Sequence, residues 1–161
     1  MDALISELKE NARESAEVLA KRLNSTPEEI EAKIKEHQEN GVICGFKAIV
    51  NPNIVQEENS VHAVIELKIR PERESGFGNL AEKISRFSQV ESCFLMSGGY
   101  DLLVFVKGKT LQEVAHFVAA DLSTIDGVLS TATHFMLHTY KDHGMFMKKP
   151  SEKDSRLAVV P

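Results

Sequence analysis

The chain has 161 residues, 42% of them apolar and 27% charged, a balance that fits a soluble globular protein and excludes a disordered or fibrous one. No apolar run approaches the roughly 20 residues of a membrane helix, and the acidic, amphipathic start MDALISELKE lacks the basic region of a secretory leader, so a cytoplasmic protein without a membrane partner is expected. A formal net charge of -5 argues mildly against a nucleic-acid binder; Cys44 and Cys93, far apart in sequence, fit no metal or redox spacing and read as reduced structural thiols.

Residues 2–12 carry Leu4, Ile5 and Leu8 at helical spacing. A second helix is expected from Ser15, its N-cap, with Val18, Leu19 and Leu23 on one face. The third has a clear start: Thr26 can cap, Pro27 suits the first helical position, and Glu28 and Glu29 lie at the positive end of the helix dipole. Gly41 is its expected stop. Two short helices, a turn and a third helix make a helix-turn-helix candidate. The segment GVICGFKAIVN that follows reads as a β-ribbon wing, with Ile43, Gly45, Phe46 and Ile49. The polar, turn-rich stretch 51–60 reads as a linker, so the expected organisation is a DNA-binding domain over 1–50, a linker over 51–60, a second domain over 61–140 and a tail over 141–161.

Beyond the linker the periodicity changes. VHAVIELKI alternates, with Val61, Ala63, Ile65, Leu67 and Ile69 on one face, and predicts a strand. A helix with Leu80, Ile84 and Phe87 inward follows, then two strands, VESCFLMS and YDLLVFVKG, around a glycine turn. Thr110 caps a helix whose Leu111, Val114, Phe117 and Val118 are expected to be buried, and GVLSTATHFMLHTY reads as the last strand. The order β-α-β-β-α-β is the ferredoxin-like motif. The expected fold is therefore α+β, an N-terminal winged helix-turn-helix followed by a ferredoxin-like βαββαβ domain. The tail either covers a sheet edge or packs on a neighbouring subunit.

These residues carry a resemblance. ENGVICGFKAIVNP (39–52), SGGYDLLVFV (97–106) and GVLSTATHFML (127–137) are similar to the wing region, effector-loop signature and last strand of the Lrp/AsnC family of bacterial and archaeal transcriptional regulators, and the likeness runs from about residue 2 to residue 140. It implies sheets paired back to back in a homodimer, dimers assembling to an octamer, and an amino acid or related small molecule bound at the loop between strands two and three. No cofactor, metal or enzymatic activity is implied.

The candidate effector residues are Ser97, Gly98, Gly99, Tyr100 and Asp101, with Thr131 and Thr133 as hydroxyl contacts. Glycine leaves its N–H groups open to a carboxylate, and Asp101 suits an ammonium group. The competing reading is a tight hairpin in which Asp101 bonds its own backbone. Double-stranded DNA is the implied macromolecular partner: Arg22, Lys33, Lys35 and Lys47 are the best phosphate contacts, with Thr26 and Glu29 at the helix start that enters the groove. Against this, residues 26–40 hold two lysines and five glutamates, and residues 1–53 hold seven basic against ten acidic groups. A metabolite-binding oligomer without specific DNA binding is the alternative, and a tetrapyrrole decarboxylase of similar architecture a more distant one. His134 and His138, at i and i+4 on a strand, with nearby His143, lack the spacing of a metal site, and SGFGNL (75–80) lacks the third glycine of a dinucleotide fingerprint.

Overall fold

The computed structural model describes residues 2–55, 60–71 and 76–148, divided into two compact units at Ile49/Val50. Linker residues 56–59 and the tail from 149 onward lie outside the described residues.

The first unit is three helices: α1 (Ala3–Glu10), α2 (Ala16–Leu23) and α3 (Pro27–Glu39). Each start is capped by a side chain, because the first N–H groups of a helix have no partner within it. Asp2 accepts from Leu4 N–H, Ser15 from Val18 N–H, and Thr26 from Glu29 N–H. Thr26 and Glu29 form a reciprocal capping box: the Glu29 carboxylate accepts the Thr26 N–H at 3.2 Å while Thr26 Oγ1 accepts the Glu29 N–H at 3.3 Å. Asn24 closes α2 in the left-handed conformation and Gly41 follows α3 with φ +72°. Leu4, Leu8, Leu19, Ala20 and Ile30 form the core. Val18, expected inward, stays 36% exposed, since the buried stripe of α2 runs through Ala16, Leu19, Ala20 and Leu23 instead.

The wing ribbon expected in GVICGFKAIVN (41–51) is not formed. Residues 43–50 make no strand pairing, and Val42, Phe46, Ile49 and Val50 are exposed. The β-propensity is present, but a short two-stranded ribbon is marginal without a surface to pack on.

The second unit is a four-stranded antiparallel sheet in the order β2-β3-β1-β4, from β1 (Val61–Ile69), β2 (Val90–Leu95), β3 (Leu102–Gly108) and β4 (Val128–Phe135). Helix α4 (Gly78–Ser85) joins β1 to β2, and α5 (Leu111–His116), which continues as a π-helical turn over Phe117–Leu122, joins β3 to β4. Alternation places Ala63, Ile65, Leu67 and Ile69 of β1 with Leu102, Val104 and Val106 of β3 on one face, where they meet Leu80, Ile84, Val114, Phe117, Val118 and Leu122. Phe87 crosses Phe117 edge to face at 5.3 Å. Leu111, expected in the core, is 51% exposed; helix packing begins at Val114, against Gly108 at the end of β3.

Among the described residues of this unit, no helix covers the other face of the sheet. It presents Glu66 on β1, Leu103 and Phe105 on β3, Phe94 on β2, and His134 on β4, with Phe94 and Phe105 edge to face at 6.0 Å. β4 ends at Phe135, so His138 lies beyond the strand and packs on Tyr140 rather than sharing a strand face with His134. The tail then forms a small hairpin, β5 (Lys141–Asp142) and β6 (Met145–Phe146), turned by His143 and Gly144, both with positive φ.

Candidate functional site

The sheet register brings the two parts of the expected effector site to one end of the sheet. Leu67 of β1 lies between Leu102 on β3 and Thr131 on β4, so the β2–β3 turn ending at Asp101 and Thr131 flank the same point of β1. Thr133 lies two pairs further in, opposite Ile65. Ser97, Gly98 and Gly99 are exposed and Tyr100 is half-buried. Gly98 has φ +133°, a backbone geometry that favours glycine, and a Cβ built on either glycine would meet nothing within 4 Å. The turn is therefore open, and its two glycines leave the backbone accessible from solvent.

Asp101 is a cross-strand clamp. Its N–H donates to Leu67 O at 2.9 Å, its carbonyl accepts Met96 N–H at 2.8 Å, and its Oδ2 accepts Ile69 N–H at 2.8 Å. The sequence offered two roles for this residue, ligand contact or local turn bond. The geometry adds a third, in which the carboxylate holds the turn against the end of β1. Ser123, which no motif in the sequence singles out, has its hydroxyl 3.5 Å from that of Thr131. The π-helical turn sets that position: Ser123 N–H reaches back five residues to Val118 O at 2.8 Å, an extra residue per turn that no periodicity in FVAADLS announces.

On the helical unit, the expected DNA-facing residues divide by what already holds them. Arg22 donates to Glu7 at 2.8 Å and lies 3.6 Å from Glu14, tying α2 to α1; the Glu7 hydrogen bond, then the Glu14 charge, raise its pKa. Thr26 and Glu29 are engaged in the capping box, and Glu29 also accepts the Ser25 hydroxyl. The Ser25 bond, then the Thr26 N–H, lower the Glu29 pKa. Asp2 is lowered as well, first by the Leu4 N–H and then by His37 of the last turn of α3, 2.9 Å away. Lys33, Lys35 and Lys47 are exposed, with Lys35 at 3.8 Å from Glu39 one turn on. Such a pair contributes little in water and leaves the lysine available to another anion.

Among the described residues no group of three His, Cys, Asp or Glu side chains could hold a metal ion, and no helix is long and apolar enough to cross a membrane. His134 faces Glu66 at 3.4 Å and His62 faces Glu91 at 3.2 Å, each a pair and not a cluster.

Comparison with known proteins agrees with this architecture. Residues 62–146 match the model of the Lrp/AsnC ligand binding domain. The uncharacterized HTH-type transcriptional regulator YugG of Bacillus subtilis is 39% identical over 154 residues, covering 96% of this chain and 92% of that protein. Among solved structures, a transcriptional regulator of Neisseria meningitidis in complex with L-Met superposes with a TM-score of 0.66 at 23% identity, covering 88% of this chain and 93% of that one. A feast or famine regulatory protein from M. tuberculosis complexed with L-methionine gives a TM-score of 0.66 at 19% identity, covering 90% and 95%. At these identities the two structures show the fold. The family model spans more than half of the chain and the Bacillus relative nearly all of it, so this chain belongs to the Lrp/AsnC family.

Proposed function

We propose that this protein is a cytoplasmic transcriptional regulator that binds double-stranded DNA through its three-helix unit and changes that binding when an amino acid or related small metabolite occupies the turn at 97–101. The observation that carries the reading is the convergence at one sheet end of an open two-glycine turn, clamped by Asp101, with the Thr131 hydroxyl. A zwitterion suits such a place: exposed backbone N–H groups for its carboxylate, hydroxyls and an aspartate edge for its ammonium group. The proposed effector contacts are Ser97, Gly98, Gly99, Tyr100, Asp101, Thr131 and Thr133.

Lys33, Lys35 and Lys47 are the proposed phosphate contacts. Thr26 and Glu29 act on DNA indirectly, by fixing the start of α3, and Arg22 by holding α2 on α1. The uncovered face of the sheet supports a homodimer: Phe94 is 50% exposed there beside Phe105, an aromatic pair that a second sheet would bury. Further assembly to an octamer would place many heads on one duplex, and avidity of this kind raises affinity by factors of roughly 10² to 10⁴. The effector acts by binding one arrangement of heads better than another.

One observation favours a second reading. Glu28, Glu29, Glu31, Glu36 and Glu39 outnumber the two lysines of α3, which suits a metabolite-binding oligomer that does not read sequence. Fluorescence anisotropy on the duplex upstream of the protein's own gene, at about 50 and about 200 mM salt, separates the two. Preference for that duplex over a random one, weakening with salt, supports the regulator; equal weak binding to both supports the alternative.

A further inference from the structure

The core of the helical unit fixes which side of α3 is turned outward. Ile30 is buried, Ile34 packs on the same core, and His37 reaches Asp2 at the start of α1, so the side at i, i+4 and i+7 faces inward. At about 100° per residue, Glu28, Ala32 and Lys35 fall on the opposite side, with Glu31 at its edge. All four are exposed.

The glutamates of α3 differ in what already engages them. Glu29 is closed in the capping box with Thr26, and Glu39 lies 3.8 Å from Lys35. Among the described residues, Glu28 and Glu31 make no hydrogen bond or ion pair. They lie in the N-terminal half of the helix, three residues apart, which is about 4.5 Å along the axis and close to one base step of about 3.4 Å. Ala32 between them and Lys35 is only a methyl group, so no long side chain at that point holds the helix off a groove floor.

A recognition helix leads into the major groove with its N-terminal residues. The groove floor offers a carboxylate few partners. Guanine N7 and O6 and thymine O4 are acceptors and repel it, and the adenine amino group stands beside the N7 acceptor. The cytosine N4 amino group donates, with no acceptor on the same base in that groove.

We propose that Glu28 and Glu31 are the specificity-determining residues of α3, each accepting the N4 amino group of a cytosine, with Ala32 allowing the close approach. This rests on the regulator reading. Lys33 and Lys35 keep the phosphate contacts, which carry affinity and no sequence information. The acidic charge of α3 then acts as a filter. A carboxylate with no amino group before it is repelled by bases and phosphates alike, so wrong sequences are penalised more than the right one is favoured.

Glutamine keeps the shape of glutamate but adds an N–H donor, and its amide matches adenine N6 and N7 together. The full chain is used to select bound duplexes from a pool with a randomised centre, followed by sequencing. Wild type, Glu28→Gln, Glu31→Gln and Glu10→Gln are compared, the last making the same charge change at the end of α1. The wild type is expected to enrich C·G pairs at fixed positions. Each α3 variant is expected to move one of those positions toward A·T, with its C·G preference falling by at least about fivefold, while Glu10→Gln selects the wild-type sequence. A motif that neither α3 variant alters, a wild-type motif without C·G, or an equal change from Glu10→Gln overturns the proposal and leaves the regulator reading standing. A wild type that enriches no sequence removes the regulator reading, and this proposal with it.

Discussion

Asp101 and Ile69 are joined by a 2.8 Å hydrogen bond from the Ile69 N–H to the Asp101 carboxylate, and this bond fixes the candidate effector turn to the end of the central strand. Removing the carboxylate leaves a half-buried N–H without its acceptor. Asp101→Ala is expected to lower stability by about 1–3 kcal/mol in urea denaturation, and Asp101→Asn, which keeps an acceptor oxygen, by less. Effector affinity is expected to fall in the same order, which isothermal titration with the amino acid that shifts DNA binding would show.

Gly98 and Gly99 are neighbours with different reasons to be glycine. Neither Cβ would meet a neighbour, but only Gly98 has a φ in the left-handed region. Gly98→Ala is expected to cost about 1–3 kcal/mol through backbone strain, whereas Gly99→Ala stays within about 0.5 kcal/mol of wild type. Equal effects in thermal unfolding would contradict the observed turn geometry.

A Cβ on Gly108 would lie 2.8 Å from Val114 Cγ2, with the residue buried beneath α5. Gly108→Ala is expected to destabilise by about 1–3 kcal/mol as the helix is pushed outward. In the double variant Gly108→Ala/Val114→Ala the two changes share one space, so the measured loss is expected to fall short of the sum of the single losses.

The carboxylates of Asp2 and Glu29 are both lowered, by the Leu4 N–H first in one and by the Ser25 hydroxyl first in the other. A lowered folded-state pKa contributes stability that is present above the ordinary values of 3.8 and 4.5 and is lost as pH falls through the folded values. Carboxyl-carbon chemical shifts followed through acid are expected to give midpoints below those values. Ser25→Ala is expected to return Glu29 toward its ordinary value, while Thr26→Ala costs about 0.5–2 kcal/mol through the lost cap.

On DNA, Lys33→Ala and Lys35→Ala are each expected to weaken binding and to reduce the slope of log affinity against log salt by about 1. Arg22→Ala is expected to act chiefly through stability, since its guanidinium links Glu7 and Glu14. A salt slope reduced equally by Arg22→Ala, with unfolding unchanged, would place Arg22 on the phosphates instead.

Much of this was legible in the sequence because it depends on local chemistry. Ser15, Thr26 and Thr110 announce helix starts through capping, and the alternation of Ala63, Ile65, Leu67 and Ile69 announces a half-covered strand. What escaped depends on distant partners. Residues 41–51 have the composition of a ribbon, yet no strand pairs there, because a short two-stranded ribbon is marginal by itself. Leu111 keeps helical spacing yet stays exposed, because burial is decided by where α5 crosses the sheet. The hydrogen bonds of Asp101, Asn51 and Asn53 go to acceptors and donors 32 to 97 residues away, which no spacing rule reaches. The juxtaposition of Ser123 with Thr131 follows from the π-helical turn.

Occupancy of the 97–101 turn is proposed to change DNA binding, and anisotropy of the labelled upstream duplex with each standard amino acid added in turn, for the wild type and for Thr131→Ala, tests this most directly. The expected result is salt-sensitive preference for that duplex, a shift of affinity by at least one amino acid, and loss of that shift in the variant with DNA binding retained. Preferential binding that no amino acid alters, or a shift that Thr131→Ala leaves intact, would contradict it.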